Sequence, residues 1–129
     1  MKNRVLVIED EKEISLIMKL RLQSLGYEVL QAFDGEEGLK CAREAGPDLI
    51  VLDLVLPKVS GMQIIQALKN DDKYKSIPVV VVTGLTQDNQ DIRAMVERAE
   101  AYFLKPFDFV ELTTMIADLL NNPKENFKS

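Results

Sequence analysis

The residues of this chain best equipped for chemistry are Glu9, Asp10, Asp53, Thr83 and Lys105. Each stands at or just past the end of a short apolar run. Gathered in one crevice, three carboxylates repel: two unit charges about 4 Å apart cost roughly 4 kcal/mol at an effective dielectric of about 20. Lys105 offsets part of that charge. A hard divalent cation is the natural complement, and an all-oxygen donor set of this kind suits Mg²⁺. A carboxylate beside Mg²⁺, an ammonium and a hydroxyl is equipped to attack phosphorus. Mg²⁺ and Lys105 neutralise the equatorial oxygens, Thr83 donates a hydrogen bond, and Asp53 is the nucleophile.

Composition narrows the alternatives. The chain has no histidine, which excludes Ser-His-Asp and Cys-His catalysis, histidine metal sites and a phosphohistidine on this chain. Its single cysteine, Cys41, lies in a helical pattern and reads as a small buried hydrophobe. The net charge of −5, with basic residues scattered along the chain, argues against this domain gripping nucleic acid by itself. With 129 residues, 47% apolar and 29% charged, the chain is long enough for one globular domain. No apolar run approaches a membrane span, and the amino terminus lacks a signal-peptide core, so a soluble cytoplasmic protein is expected.

The elements that must position the five residues follow from periodicity. Asp48 to Pro57 is the clearest: Leu49-Ile50-Val51-Leu52 lies between Gly46-Pro47 and Pro57 and reads as a strand buried on both faces, with Asp53 at its carboxyl end. Arg4 to Ile8 is a first strand leading into Glu9-Asp10-Glu11. A helix is expected from Glu11 to Leu25, with Ile14, Met18, Leu22 and Leu25 on its inner stripe, Asp10 and Glu13 in capping-box spacing, and Gly26 as stop. Tyr27 to Phe33 reads as a second strand. Asp34-Gly35-Glu36-Glu37 caps a helix to about Ala45, and Ser60-Gly61-Met62-Gln63 caps one to about Lys69. Ile77 to Val82 is a β-branched strand ending at Thr83. A helix is expected from Gln87 to Arg98, with Ile92, Met95, Val96 and Ala99 facing inward. Ala101 to Leu104 is a fifth strand, Asp108 caps a last helix to about Asn121, and residues 122–129 form a polar tail or the start of a linker.

Five βα units in alternation imply an α/β fold: a doubly wound, five-stranded parallel sheet with helices on both faces. We take the strand order as 2-1-3-4-5. Sites in such sheets lie in the crevice beyond the carboxyl ends of the strands, where all five residues stand.

In this order, the pieces Ile8-Glu9-Asp10-Glu11, Asp53-Leu54-Val55-Leu56-Pro57 with Gly61, Thr83-Gly84 and Tyr102-Phe103-Leu104-Lys105-Pro106-Phe107 resemble the receiver domain of bacterial response regulators, over residues 4 to about 121. The resemblance implies a flavodoxin-like (βα)5 receiver domain over residues 1–121. It implies that Asp53 accepts a phosphoryl group from a sensor histidine kinase or a phosphotransfer protein. Glu9, Asp10, Asp53 and the backbone carbonyl of Val55 would hold Mg²⁺, and Thr83 and Lys105 would bind the phosphoryl oxygens. Tyr102 would be the switch aromatic that follows Thr83, and the Lys105-Pro106 bond would be cis. Output would pass through the face of helix four, strand five and helix five to a downstream protein or output domain, from a monomer or a phosphorylation-dependent dimer. Self-phosphorylation and self-dephosphorylation would be its only catalysis.

Two other functions are weighed. A receiver-like module that is never phosphorylated would not need all five polar positions. A Mg²⁺-dependent phosphatase of the haloacid-dehalogenase type places a second aspartate two residues after the first, where this chain has Val55. The chain departs from receivers at Arg98, where a glycine is frequent, so helix four is expected to end differently or run longer. Val55 and Leu85 are apolar neighbours of the phosphoryl site that would slow hydrolysis. Leu16 and Leu20, one turn apart on the outer side of helix one, form a candidate docking patch for the phosphodonor.

Overall fold

The computed structural model describes residues 2–121, and the tail expected over 122–129 lies outside them. Strands and helices alternate: β1 (Arg4–Ile8), α1 (Lys12–Ser24), β2 (Glu28–Ala32), α2 (Gly35–Glu44), β3 (Leu49–Leu52), α3 (Gly61–Lys69), β4 (Val79–Thr83), α4 (Gln90–Val96), β5 (Ala101–Leu104) and α5 (Phe109–Asn121). All strands pair in parallel in the order β2-β1-β3-β4-β5.

The sheet divides the core by the two-residue period of its strands. Leu6, Ile8, Ile50, Leu52, Val79 and Val81 face the layer of α2, α3 and α4. Val5, Val7, Leu49, Val51, Val80 and Val82 face α1 and α5, where Met18, Leu22, Leu112, Ile116 and Leu119 meet them. The three central strands are thus apolar except for Arg4 at the start of β1 and Thr83 at the end of β4, because both faces are covered. Among the described residues no helix is long and apolar enough to cross a membrane.

Capping follows side-chain chemistry at four helices. The Asp34 carboxylate accepts the Glu37 N–H, Ser60 and Gln63 form a full capping box, and Asn89 and Asp108 accept the first free amides of α4 and α5. At α1 the expected Asp10–Glu13 box does not form. Glu11 occupies the cap position without a side-chain cap, and Asp10 is turned to the carboxyl edge of the sheet with Glu9 and Asp53. The inner stripe of α1 is also narrower than its apolar pattern: Ser15, Met18 and Leu22 are buried, whereas Ile17 and Leu25 are exposed. Ser15 is buried because its hydroxyl accepts a hydrogen bond from Gln31 on β2. α4 is shorter than its periodicity predicts, since Asn89 is its cap and residues 84–88 form a connection.

Candidate functional site

The ladder itself carries the site residues to one edge. Glu9 donates its N–H to Ala32 O, Asp53 to Ile8 O and Lys105 to Thr83 O, so each is hydrogen-bonded one step beyond a strand end. The backbone after Asp53 is held just as closely. A side chain at Gly61 would place its first carbon 2.2 Å from Asp53 O and 2.5 Å from Leu54 Cα, so only glycine lets α3 start against this loop. Asp53 Oδ1 accepts the Val55 N–H at 3.1 Å, fixing the carboxylate against its own loop.

Lys105 stands at the centre. The Lys105–Pro106 bond is cis. Its Nζ lies 2.9 Å from Asp53 Oδ2, 2.8 Å from Glu9 Oε1 and 3.4 Å from Glu11 Oε1. Burial works against the charged amine, but the facing Glu9 and Asp53 carboxylates outweigh it and hold the Lys105 pKa above its ordinary value. Glu9 is fully buried, and burial pushes its carboxyl above the usual range even though the Lys105 ammonium and the Glu11 N–H favour the charged form. Its Oε1 touches Lys105 without the alignment of a hydrogen bond, so a buried anionic oxygen is left without one. Carboxylate oxygens of Glu9, Asp10 and Asp53 all lie within 4.8 Å of one another. An orphaned buried oxygen within a tight all-oxygen set, with Asp10 open to solvent, fits a hard divalent cation that retains waters.

The crevice over this set has a volume of about 400 Å³ and is lined by Asp10, Glu11, Asp53, Val55, Gly84, Leu85 and Lys105. Thr83 shares the edge but stands behind this lining: it is buried, and its hydroxyl accepts the Leu85 N–H at 3.3 Å. Half-buried Tyr102 donates its hydroxyl hydrogen to the Leu85 carbonyl, and burial raises its pKa. One loop residue therefore meets both Thr83 and Tyr102. Glu11, placed from the sequence in the acidic run after the first strand but given no site role, is a third carboxylate on Lys105; its place next to the Glu9–Asp10 pair was the signal available.

With this geometry in view, the chain can be placed among known proteins. The response regulator receiver domain family matches residues 5–117, and the chain belongs to that family. It is 40% identical over 117 residues to the DNA-binding dual master transcriptional regulator RpaA of Synechocystis, covering 91% of this chain and 48% of that protein. The chain thus spans about half the length of the first curated relatives it matches. It is also 33% identical to the polar-differentiation response regulator DivK of Brucella anthropi, covering 95% of this chain and 99% of that one. Among solved structures, the response regulator TrrA of Thermotoga maritima, in complex with Mg²⁺ and BeF, is 33% identical, with a TM-score of 0.81 over 93% of this chain and all of that one. The chain is therefore a receiver domain of the two-component response-regulator type, with the five-stranded parallel fold of chemotaxis-regulator-like receivers.

Proposed function

We propose that Asp53 is the phosphoacceptor and that Glu9, Asp10, Asp53 and the Val55 carbonyl would hold Mg²⁺. The observation that carries the reading is the Lys105 ammonium 2.9 Å from Asp53 Oδ2, at the floor of a crevice with an uncompensated acidic surplus. Bound Mg²⁺ would supply charge neutralisation for phosphoryl oxygens. Asp53 attacks phosphorus, an O–P bond forms and the P–N bond of a donor phosphohistidine breaks, leaving neutral imidazole after protonation of the leaving nitrogen. Lys105 binds an equatorial oxygen throughout. Thr83 turns its hydroxyl from the Leu85 N–H to the phosphoryl group, and Tyr102 follows through the Leu85 carbonyl.

The donor is a sensor histidine kinase or a phosphotransfer protein. Leu16 and Leu20 are 49% and 56% exposed on α1, and a groove of about 430 Å³ is lined by Ile14, Ile17, Pro106, Phe107 and Phe109. That groove shares Glu11 and Lys105 with the crevice, so a protein seated on it reaches Asp53. Output passes through α4, β5 and α5 to a downstream protein or output domain, and a cytoplasmic location goes with this reading. The domain has no other catalysis than its own phosphorylation and dephosphorylation.

The test is incubation with Mg²⁺ and acetyl phosphate, read by intact mass. One added phosphoryl group is expected, absent in Asp53→Asn and absent with chelator. An unmodified wild-type protein at saturating donor would overturn the reading.

A further inference from the structure

The role of Glu11 is not explained by the chemistry at Asp53. Its side chain is 61% exposed, its Oε1 lies 3.4 Å from Lys105 Nζ, and it lines both the crevice over Asp53 and the adjoining apolar groove. It caps no helix with its side chain, although its backbone occupies the cap position of α1. The carboxylate therefore stands where the crevice meets the groove, and among the described residues it makes no side-chain hydrogen bond beyond the Lys105 contact.

We infer that Glu11 is a specificity-determining residue that selects against small, strongly anionic phosphodonors at the mouth of the crevice. The inference rests on the reading of Asp53 as phosphoacceptor. A negative charge at the rim of a crevice lowers the local concentration of free anions, and the effect weakens as salt screens it. A donor that seats on the groove brings its phosphoryl group in against contacts with Ile14, Ile17 and Phe107, which a small free anion cannot make. Glu11 thereby penalises the free anion more than a docked donor. Its second effect, drawing on the Lys105 ammonium, would act equally on every donor and so is separable.

The chemical step is the same for two small probes of different charge. With acetyl phosphate, a dianion near neutral pH, an Asp53 oxygen bonds to phosphorus while the P–O bond to the acyl group breaks and acetate leaves. With phosphoramidate, a zwitterion of one net negative charge, the P–N bond breaks and ammonia leaves with the protons it already carries.

The experiment compares wild type and Glu11→Gln with both donors, at Mg²⁺ raised until the rate no longer increases, at low and high ionic strength, following phosphorylated protein by intact mass. Glu11→Gln is expected to speed the acetyl phosphate reaction by roughly threefold or more at low salt. The gain should shrink at high salt and be clearly smaller for phosphoramidate. No gain with acetyl phosphate, or equal salt-insensitive gains with both donors, would overturn the inference; the second result would assign Glu11 to restraint of Lys105 instead. If wild type takes up no phosphoryl group from either donor, the reading of Asp53 fails and this inference with it.

Discussion

Two half-buried lysines, one at each end of the sheet, show how the same chemistry makes a support in one place and a site in another. Lys69, at the end of α3, is 8% exposed and fully satisfied: it donates to Lys75 O at 3.1 Å, to Ile77 O at 2.9 Å and to both oxygens of Glu100 at 3.0 and 3.1 Å. Glu100, 11% exposed, also accepts the Val79 N–H at 2.7 Å, so one cation meets one anion and both are hydrogen-bonded. Lys105, 16% exposed, meets three carboxylates, and Glu9 Oε1 keeps no aligned hydrogen bond. A balanced pair ties α3, the start of β4 and the start of β5 together. An unbalanced one leaves negative charge and an open crevice, which is what a cation and a phosphoryl group require.

The comparison breaks most sharply if the two lysines are removed in turn. Lys105→Met should slow phosphorylation of Asp53 by about 10²-fold, the usual cost of losing one donor to a developing oxyanion, and because Glu9 and Asp53 lose their cation it should also lower the stability of the metal-free protein. Lys69→Met should act on stability alone. It leaves half-buried Glu100 without its cation, which costs about 2–3 kcal/mol in denaturant unfolding, less than the loss of a fully buried partner, yet the phosphorylation rate of the folded protein should match wild type. The double variant Lys69→Met with Glu100→Leu should recover part of that loss. Phosphorylation that collapses in Lys69→Met under native conditions would mean that the two ends of the sheet are not separable.

Glu9 sharpens the contrast through pH. Burial raises its pKa, so the folded protein holds this proton more tightly than the unfolded chain. Its contribution is therefore most favourable at acid pH and declines as pH rises from the ordinary carboxylate range through the raised folded value. In the metal-free protein at neutral pH, Glu9→Gln should raise the Tm by a few degrees while weakening Mg²⁺ binding, read by thermal melts with chelator and with Mg²⁺. A lowered Tm in chelator would show that Glu9 is compensated as fully as Glu100.

The strand order, the two faces of the core and the edge on which Glu9, Asp10, Asp53 and Lys105 meet were legible because they rest on period and topology. Apolar runs bounded by Gly46-Pro47 and Pro57 leave little freedom, and the right-handed crossover does the rest. What escaped was set by single side chains acting across the fold. Asp10 and Glu13 have the spacing of a capping box, yet Asp10 turns to the acidic cluster, because local spacing carries no information about a competing tertiary partner. Ser15, which no sequence pattern singles out, is buried against Gln31. Lys69 and Glu100 are 31 positions apart, and nothing in the sequence around either one pairs them.

Arg98 offers the smallest effect and a test of the support end alone. It stands where a glycine is frequent in receivers, and helix α4 was expected to end differently there or to run longer. Instead α4 ends at Val96, and the Arg98 guanidinium donates to the Asn70 side chain just beyond α3, next to the Lys69–Glu100 pair. The contact joins the carboxyl ends of α3 and α4, whereas the amino end of α4 follows the loop of Leu85. Arg98→Ala removes one partly exposed hydrogen bond and should cost about 0.5–1.5 kcal/mol. If the contact also anchors α4, amide exchange around residues 94–100 should quicken in the variant while that of residues 84–88 stays as in wild type. Equal quickening of both segments would show that α4 moves as one piece and that its two ends are not held independently.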